Sequence, residues 1–319
     1  MILGVGSAGH HHGEILQGAT RCEGEVVPCL ITMPTRRVGS HARYVPMAGD
    51  SDRDQGDENA GASKARVLEV VPAWKLKAAR AARLALEFVG APVVGRLEIE
   101  CSVATGVGLG SSTCDVVAAI RAVCAAYGVA VEPDVVARIA VAAEGAVDPI
   151  MFDREVVLFA QRQGRVLERF GSWIPPYLVV SVDTDVGTAG VDTLSLPPPR
   201  YTDAELDAFE GLVARSRAAF ERRDAAAIAV VATESATMNQ RFVSLRGFRE
   251  IVALADEVGA LGVQIAHSGT VAGILFNVRT TRARGTHGPA DPELTSEVMA
   301  RVRTLGARPL GVFETGVRH

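Results

Sequence analysis

The fold class that this sequence predicts is α+β, arranged in two domains. Strand-like runs rich in Val, Ile and Leu occur in both halves, whereas helix-like runs cluster between residues 202 and 261 and do not alternate with strands. The 319 residues allow about two domains at roughly 150 residues each. Segment 173–177 (WIPPY) is the best boundary, because its two prolines stop regular structure just before a strand. We therefore predict domains at 1–174 and 175–319.

The predicted elements follow from apolar spacing and from start and stop signals. Predicted strands are short apolar runs bounded by Gly or Pro, at 26–32, 67–71, 96–103, 156–159, 177–182, 262–266, 272–278 and 309–314. Two helix starts are clear: Thr202 precedes Glu205 as in a capping box, and Pro292 follows Asp291 as the first helical residue follows an N-cap. Predicted helices lie at 74–89, 112–127, 133–144, 202–222, 224–242, 247–261 and 291–305.

Composition excludes several classes of protein. With 33 basic and 37 acidic side chains and a net charge of −4, a nucleic-acid partner is not expected. No apolar run approaches the roughly 18 residues of a membrane-spanning helix. The N-terminus lacks the basic and apolar regions of a signal peptide. Five cysteines without a CxxC pair suit reduced thiols, so we expect a cytoplasmic protein.

Two polar segments, 47–61 and 280–292, lack apolar periodicity and are rich in Gly, Pro or charged residues. Such composition predicts mobile loops. A lid over a functional site and a tolerated surface insertion remain equally open.

The first glycine-rich stretch, residues 4–9 (GVGSAG), matches the GxGxxG pattern of dinucleotide-binding folds. Only three residues precede it, so a strand there would be very short. Glycines at positions 13 and 18 interrupt any following helix, and the next predicted strand carries no acidic residue at its tip. A dinucleotide site of this type is therefore not expected.

The second stretch, residues 106–113 (GVGLGSST), lies between a predicted strand and an apolar helix. Glycines let the backbone approach an anion, and the helix start offers unpaired N–H groups. Its hydroxyls can cap the helix, contact phosphate or ligate Mg²⁺. The segment lacks the Gly-Lys-Ser/Thr of a Walker A loop. A plain turn with a serine cap is an equally good interpretation.

Two further stretches carry polar side chains. Residues 262–273 predict a hairpin with the polar tip His267-Ser268-Gly269-Thr270. If the helix before Glu144 continued, Glu144 and Asp148 would share one face, and one acid could hold Mg²⁺ while the other takes a proton. The alternative, and the better one without other support, is that Asp148 caps a new turn with Pro149 at its first position.

These elements, in this order along nearly the whole chain, resemble the GHMP kinase family. Residues 106–113 are similar to its phosphate-binding "GLGSS" motif, and residues 262–273 to its C-terminal glycine-rich motif, although His267 and Thr270 depart from the commoner Lys and Ala. The segment from Gly6 to Gly18 resembles the first motif. "GEILQG", "EGAVDPIMF" and "AHSGT" look most like the L-threonine kinase branch of cobalamin biosynthesis.

The resemblance implies a ribosomal-protein-S5-like N-terminal domain and a ferredoxin-like C-terminal domain, with ATP and substrate at their junction. It implies Asp148 as the base or orienting acceptor, with Ser112 assisting catalysis, and Ser112 and Glu144 as Mg²⁺ ligands. The implied ATP-binding residues are Gly106, Gly108, Leu109, Gly110, Ser111, Ser112, Thr113 and Lys75. The implied substrate side comprises Glu14, Gln17, His12, Asp148, His267, Ser268, Gly269 and Thr270.

The run His10-His11-His12 has two interpretations. Adjacent residues point in different directions, so three ligands to one metal ion are not expected. One of the three, assigned as His12, would lie near a substrate carboxylate or phosphate. A solvated loop is the alternative.

The expected function is an ATP- and Mg²⁺-dependent kinase that phosphorylates the hydroxyl of L-threonine or a related hydroxy amino acid. The alternatives are a family kinase for another alcohol, such as homoserine or a biosynthetic intermediate, and a family member that binds nucleotide without catalysis. The expected partner is a small molecule bearing a hydroxyl group, without nucleic acid or membrane, and a homodimer is compatible with the sequence.

Overall fold

The computed structural model describes residues 2–47, 67–102, 110–187, 199–278 and 292–316. These ranges form ten strands and seven helices. The strands are β1 (Gly4–Cys22), β2 (Glu25–Pro46), β3 (Leu68–Val71), β4 (Gly95–Cys101), β5 (Val156–Ala160), β6 (Arg165–Gly171), β7 (Tyr177–Asp183), β8 (Gly262–Ile265), β9 (Val271–Asn277) and β10 (Arg308–Glu314). The helices are α1 (Leu76–Phe88), α2 (Ser111–Ala126), α3 (Pro133–Glu144), α4 (Asp203–Arg222), α5 (Ala225–Asn239), α6 (Phe248–Glu257) and α7 (Pro292–Thr304).

A single hydrogen-bonded sheet runs through these ranges in the order β10-β7-β9-β8-β1-β2-β4-β3, with β5 pairing β2 and β6 pairing β5. Most pairs are antiparallel, and β3 pairs with β4 in parallel. The bridge between Glu14 of β1 and Ile265 of β8 joins strands from both predicted domains. The α+β class is confirmed, whereas the division at 174/175 stays a prediction.

The helices begin where local sequence signals place them. Thr202 caps α4 in a full capping box with Glu205, and Asp224 caps α5 by accepting from the Ala227 backbone N–H. Pro133 opens α3, where its missing N–H costs nothing. Each predicted helix is found, with ends shifted by a few residues.

The strand predictions did not include β1, which begins at Gly4 and is 19 residues long. A Cβ on Gly4 or Gly6 would lie 2.0 Å or 2.2 Å from carbonyl oxygens of Ala122 and Ala118 in α2. These glycines therefore let a helix pack directly on the strand. No helix follows them directly, so the dinucleotide pattern lacks its structural context. The sequence also missed β6 and the extension of β2 to Pro46.

Three large apolar clusters and a small one at Ala266 and Val271 form the interior of the described residues. The first packs α1, α2 and α3 on β2 and β4. The second packs α4 and α5 on β1, β2 and β7, and the third lies under α6 and α7. None of the helices in the described ranges is long and apolar enough to span a membrane. All five cysteines carry free thiols.

Candidate active site

The start of α2 forms one wall of the candidate site. Gly110, just before the helix, has a φ of 70°, a left-handed conformation that favours glycine. A Cβ there would lie 1.9 Å from Nε2 of His11, so glycine is also required by space. The first backbone N–H groups of α2 form a positive end suited to an anion. Ser111 and Ser112 are half-buried in this turn. Of the predicted ATP-binding residues, Gly106, Gly108 and Leu109 lie outside the described residues.

Glu144 faces this helix start from the end of α3. Its Oε2 accepts a hydrogen bond from the Thr113 hydroxyl at 3.3 Å, and its Oε1 accepts from Lys77 Nζ at 3.0 Å. Burial raises the pKa of Glu144, against the opposing effects of the Ser112 hydroxyl and the Lys77 ammonium. Sequence reasoning missed Lys77. The available signal was its position in the first turn of α1, the predicted helix that precedes the glycine-rich residues 106–113.

Glu144 and Asp148 would share a helix face only if α3 continued past Glu144. Gly145 has a φ of 90°, so α3 ends at Glu144 and this condition is not met. A new turn does begin at Pro149, as in the alternative interpretation, because the Phe152 N–H donates to the Pro149 carbonyl at 3.1 Å. Both carboxylates nevertheless lie near the start of α2, because the chain folds back after Gly145.

Lys75 makes a different contact from the nucleotide contact that we expected. Only 6% exposed, it donates to Asp115 of α2, and Asp115 also accepts from the Ser40 hydroxyl at 2.7 Å. This buried arrangement joins β2 and the segment before α1 to α2. Lys75 thus stabilises the position of α2 through its buried ion pair with Asp115.

Asp148 forms an ion pair with His11 of β1. His11 Nε2 lies 3.0 Å from Asp148 Oδ2, and the side chains are 2% and 19% exposed. Burial by itself would lower the pKa of His11, but the charge and hydrogen bond of Asp148 and the charge of Glu14 raise it to about 8. Burial would raise the pKa of Asp148, and His11 reverses this to a net lowering. At neutral pH the pair is ionic, and the Asp148 carboxylate reaches solvent.

Glu14 and Gln17 lie next to this pair. Glu14 Oε2 accepts from the Thr32 hydroxyl at 2.6 Å, and Gln17 Oε1 lies 3.0 Å from His267 Nδ1. Burial, then the charge of Asp148, raises the pKa of Glu14 to about 8. Within the described residues, Glu14 Oε1 and Gln17 Nε2 are buried without a hydrogen-bond partner. Such atoms are costly to leave unsatisfied, and a bound ligand would supply the missing partners.

The structure separates the three consecutive histidines. His12, which we expected on the substrate side, is fully buried; its Nε2 contacts the Ser181 hydroxyl at 2.7 Å and its Nδ1 contacts Gln264. His10 contacts the Thr35 hydroxyl at 2.9 Å. Burial lowers the pKa of both His10 and His12 to about 3. Among the described residues, His11 is the one of the three that forms an ion pair with Asp148.

The predicted hairpin forms from β8 and β9, and its tip brings further predicted residues toward Asp148. Burial lowers the pKa of His267, while the charge of Asp148 opposes that shift. Thr270 donates to Asp183 at 2.7 Å, and Arg308 holds the same carboxylate at 2.8 Å. Ser268 is half-buried and Gly269 is buried. The contact with Asp183 therefore fixes the tip at Thr270, and the contact with Gln17 holds it at His267.

A cavity of about 340 Å³ opens beside these groups, lined by Gly9, His10, Thr32, Pro149 and Ile150 among others. Its walls include His10 and Pro149, the direct neighbours of His11 and Asp148 in the chain. A cavity of this size is in the range of small-molecule sites.

The arrangement combines a helix start suited to an anion, a buried carboxylate beside hydroxyls, and an ionised acid paired with a histidine. Sequence reasoning placed most of these side chains in the site but missed His11, Lys77 and Thr32. In the described residues no group of three or more His, Cys, Asp or Glu side chains could hold a metal ion by itself. A metal at Glu144 would therefore need further ligands from a bound molecule.

Several solved structures share this fold over nearly their whole length. The homoserine kinase of Cytophaga hutchinsonii has 16% sequence identity and a TM-score of 0.60, covering 99% of this chain and 95% of that chain. The L. major mevalonate kinase in complex with R-mevalonate has 14% identity and a TM-score of 0.60, covering 100% and 96%. A phosphotransferase related to the CoA biosynthesis pathway has 13% identity and a TM-score of 0.63, covering 100% and 97%. At these identities the likeness shows the fold alone.

No curated protein matches the chain in sequence. Residues 76–152 match the family model of the GHMP kinases N terminal domain. This span runs from the start of α1 to the turns after Asp148 and includes the glycine-rich segment, Glu144 and Asp148. Residues 76–152 are therefore similar to the N-terminal domain of the GHMP kinases, and the chain shares its fold with solved kinases along nearly its whole length.

Proposed function

We propose that this protein transfers the terminal phosphoryl group of ATP to the hydroxyl of L-threonine or a related hydroxy amino acid, giving the O-phospho product and ADP. The observation that carries the proposal is the ionised Asp148, which pairs with His11 close to Gly110 at the start of α2. Its neighbour Pro149 lines a cavity. The choice of a hydroxy amino acid rests on the motifs GEILQG, EGAVDPIMF and AHSGT.

The residues present fit a nucleotide with Mg²⁺. Gly110 leaves room for the His11 ring beside the start of α2, and the N–H groups of the first turn of α2 are suited to an anion. Glu144, Ser112 and Thr113 offer oxygen atoms, the donor type that Mg²⁺ prefers, and Mg²⁺ commonly binds through one or two carboxylates plus phosphates. Glu144 already accepts the Lys77 ammonium, so a positive charge is stable there. When bound, Mg²⁺ neutralises charge on the phosphates.

The acceptor step needs a group that takes a proton from an alcohol. The substrate oxygen forms a bond to the terminal phosphorus while the bond from that phosphorus to the ADP oxygen breaks, and the hydroxyl proton passes to Asp148. His11 keeps Asp148 ionised before the step and orients its carboxylate. Phosphoryl transfer depends mainly on positioning and charge neutralisation, so no covalent intermediate on the protein is required.

The groups around the His11–Asp148 pair would orient the substrate. Glu14 Oε1 and Gln17 Nε2, both without a partner in the described residues, provide an acceptor or donor for polar groups of the substrate. His267, Ser268, Gly269 and Thr270 face the same region from the hairpin tip and would close over the phosphates.

The test measures ADP release with L-threonine, L-serine, L-homoserine and mevalonate as acceptors. We expect L-threonine or a close analogue to be turned over, and Asp148→Asn to lower kcat by about 100-fold or more, in line with the usual contribution of a general base. The matched control is Asp256→Asn, because Asp256 is an exposed acid on α6, a helix that contributes no residue to the cavity. Full activity of Asp148→Asn would remove the assignment of Asp148.

Two alternatives give different results in the same assay. A kinase for homoserine or another alcohol would release ADP with that acceptor in preference to L-threonine; the fold shared with the homoserine kinase of Cytophaga hutchinsonii makes this the second candidate. A family member that binds nucleotide without catalysis would show ATP binding by calorimetry and no turnover with any acceptor. A cytoplasmic location is part of the proposal for either kinase.

A further inference from the structure

The cavity beside Asp148 has a wall that the proposed chemistry does not use. Arg37 of β2 and the segment 152–155 belong to this wall. Pro149, the neighbour of Asp148 in the chain, lines the same cavity, so the Arg37 wall would receive the end of the substrate that is remote from the reacting hydroxyl. Its charge therefore bears on which substrates the site selects.

The carboxylates on this wall already have cationic partners. Asp153 is paired with Arg121 at 2.7 Å, and Glu155 is paired with Arg169. For the two arginines of the wall, Arg37 and Arg154, the structure shows no carboxylate within ion-pair distance among the described residues. The wall thus has an excess of positive charge available to a ligand.

Arg37 is held in place by packing. Its guanidinium lies 4.6 Å from the centroid of the Phe313 ring, and Phe313 stacks on His10 with ring centroids 5.6 Å apart. His10 contacts the Thr35 hydroxyl, which also accepts from the Arg37 backbone N–H at 3.3 Å. When an arginine stacks on an aromatic face, the N–H groups in the plane of its guanidinium stay available as donors. Because stacking already restricts the side chain, less conformational entropy is lost when it binds an anion.

His10 contributes no positive charge to this wall. Burial, followed by the charges of His11, His12 and Arg37, lowers its pKa to about 3, so it is neutral at physiological pH. The positive charges facing an incoming ligand are those of Arg37 and Arg154 at the rim, with His11 already paired to Asp148.

We propose that Arg37 binds the carboxylate of the acceptor, so that the site selects a hydroxy acid over a neutral alcohol of the same shape. This inference rests on the proposed function, because it places the acceptor hydroxyl at Asp148. The planar guanidinium can donate two parallel hydrogen bonds to a carboxylate. Arg37 is therefore a specificity-determining residue that touches the substrate away from the reacting atoms.

The experiment compares L-threonine with L-threoninamide, which keeps the hydroxyl and ammonium groups and lacks the negative charge. In the wild type we expect a KM about tenfold or more lower for the acid. In Arg37→Gln we expect the KM for L-threonine to rise about tenfold, equivalent to about 1.4 kcal/mol, while its kcat and the KM for the amide stay within about threefold. The matched control is Arg43→Gln, an exposed arginine on the same strand outside the cavity.

An equal KM for acid and amide in the wild type, or an equal loss for both in Arg37→Gln, would overturn the inference. So would a selective loss in Arg154→Gln with Arg37→Gln unaffected. Titration calorimetry of L-threonine and its amide without ATP separates this inference from the kinase assignment. If wild-type binding favours the acid and Arg37→Gln abolishes that preference, the inference stands even where no ADP is released. If neither compound binds and none is turned over, the inference fails.

Discussion

Replacing His11 with Gln removes the cation that faces Asp148 and keeps a polar side chain at the position. The pKa of His11 is about 8 in the folded protein, where the charge and hydrogen bond of Asp148 outweigh burial, against an ordinary value of 6.5. At 1.36 kcal/mol for each pKa unit, this difference corresponds to about 2 kcal/mol. Because the folded-state pKa is raised, this stabilisation is fully present below about pH 6.5 and is lost as the pH rises through about 8.

The assay is urea unfolding of the wild type and His11→Gln at about pH 6 and about pH 9. The quantity compared is the free energy of unfolding of the wild type minus that of the variant. We expect this difference to be about 2 kcal/mol larger at about pH 6 than at about pH 9. His41→Gln is the matched control, because His41 lies exposed on β2.

A difference between the wild type and His11→Gln that is the same at both pH values would refute the ion pair as a source of pH-dependent stability. The variant should also lose activity most strongly at acidic pH, because without His11 the pKa of Asp148 rises and less carboxylate is ionised. An acidic limb of the pH–rate profile that does not move would contradict the role of His11 in holding Asp148 ionised.

Three further predictions concern the walls of the site. Gly110→Ala should lower the free energy of unfolding by about 2–4 kcal/mol in urea titrations, because its Cβ would meet His11 and its φ is positive; unchanged stability would refute the close approach. Glu144→Gln should lower kcat by about 100-fold and raise the Mg²⁺ concentration for half-maximal rate, whereas the exposed Glu132→Gln should do neither; an unaltered Mg²⁺ titration would exclude Glu144 as a ligand. Thr32→Val should cost about 1–2 kcal/mol in urea unfolding at neutral pH, because the Glu14 oxygen loses its hydroxyl donor; a loss no larger than that of Thr20→Val, on the same pair of strands, would show that this bond contributes nothing.

Local sequence was sufficient where an element is specified by its own residues. The capping box at Thr202 and the proline at position 292 predicted the starts of α4 and α7, since these signals depend on residues within one turn of each other. The two apolar runs around 267–270 predicted a hairpin for the same reason, and β8 pairs with β9 as expected.

The long strand β1 could not be predicted in this way. Gly4 and Gly6 have the pattern of a turn, and only the approach of α2 explains why glycine is needed there. The pairing of β1 with β2 shifts register four times between Ala8 and Leu16. Because each one-residue shift reverses which side chains face the interior, the sequence left open which histidine of the run would meet Asp148.

The sequence by itself determined the α+β class, the helices and the set of residue types that the site would use: a glycine-rich helix start, two acids and a polar hairpin tip. The tertiary structure decided the pairings. In the folded protein Asp148 pairs with His11 and not with His12. Glu144 pairs with Lys77, and Lys75 pairs with Asp115 in the interior. The physical reason is that these contacts join residues distant in the chain, whose partners depend on sheet register and on helix packing rather than on local sequence.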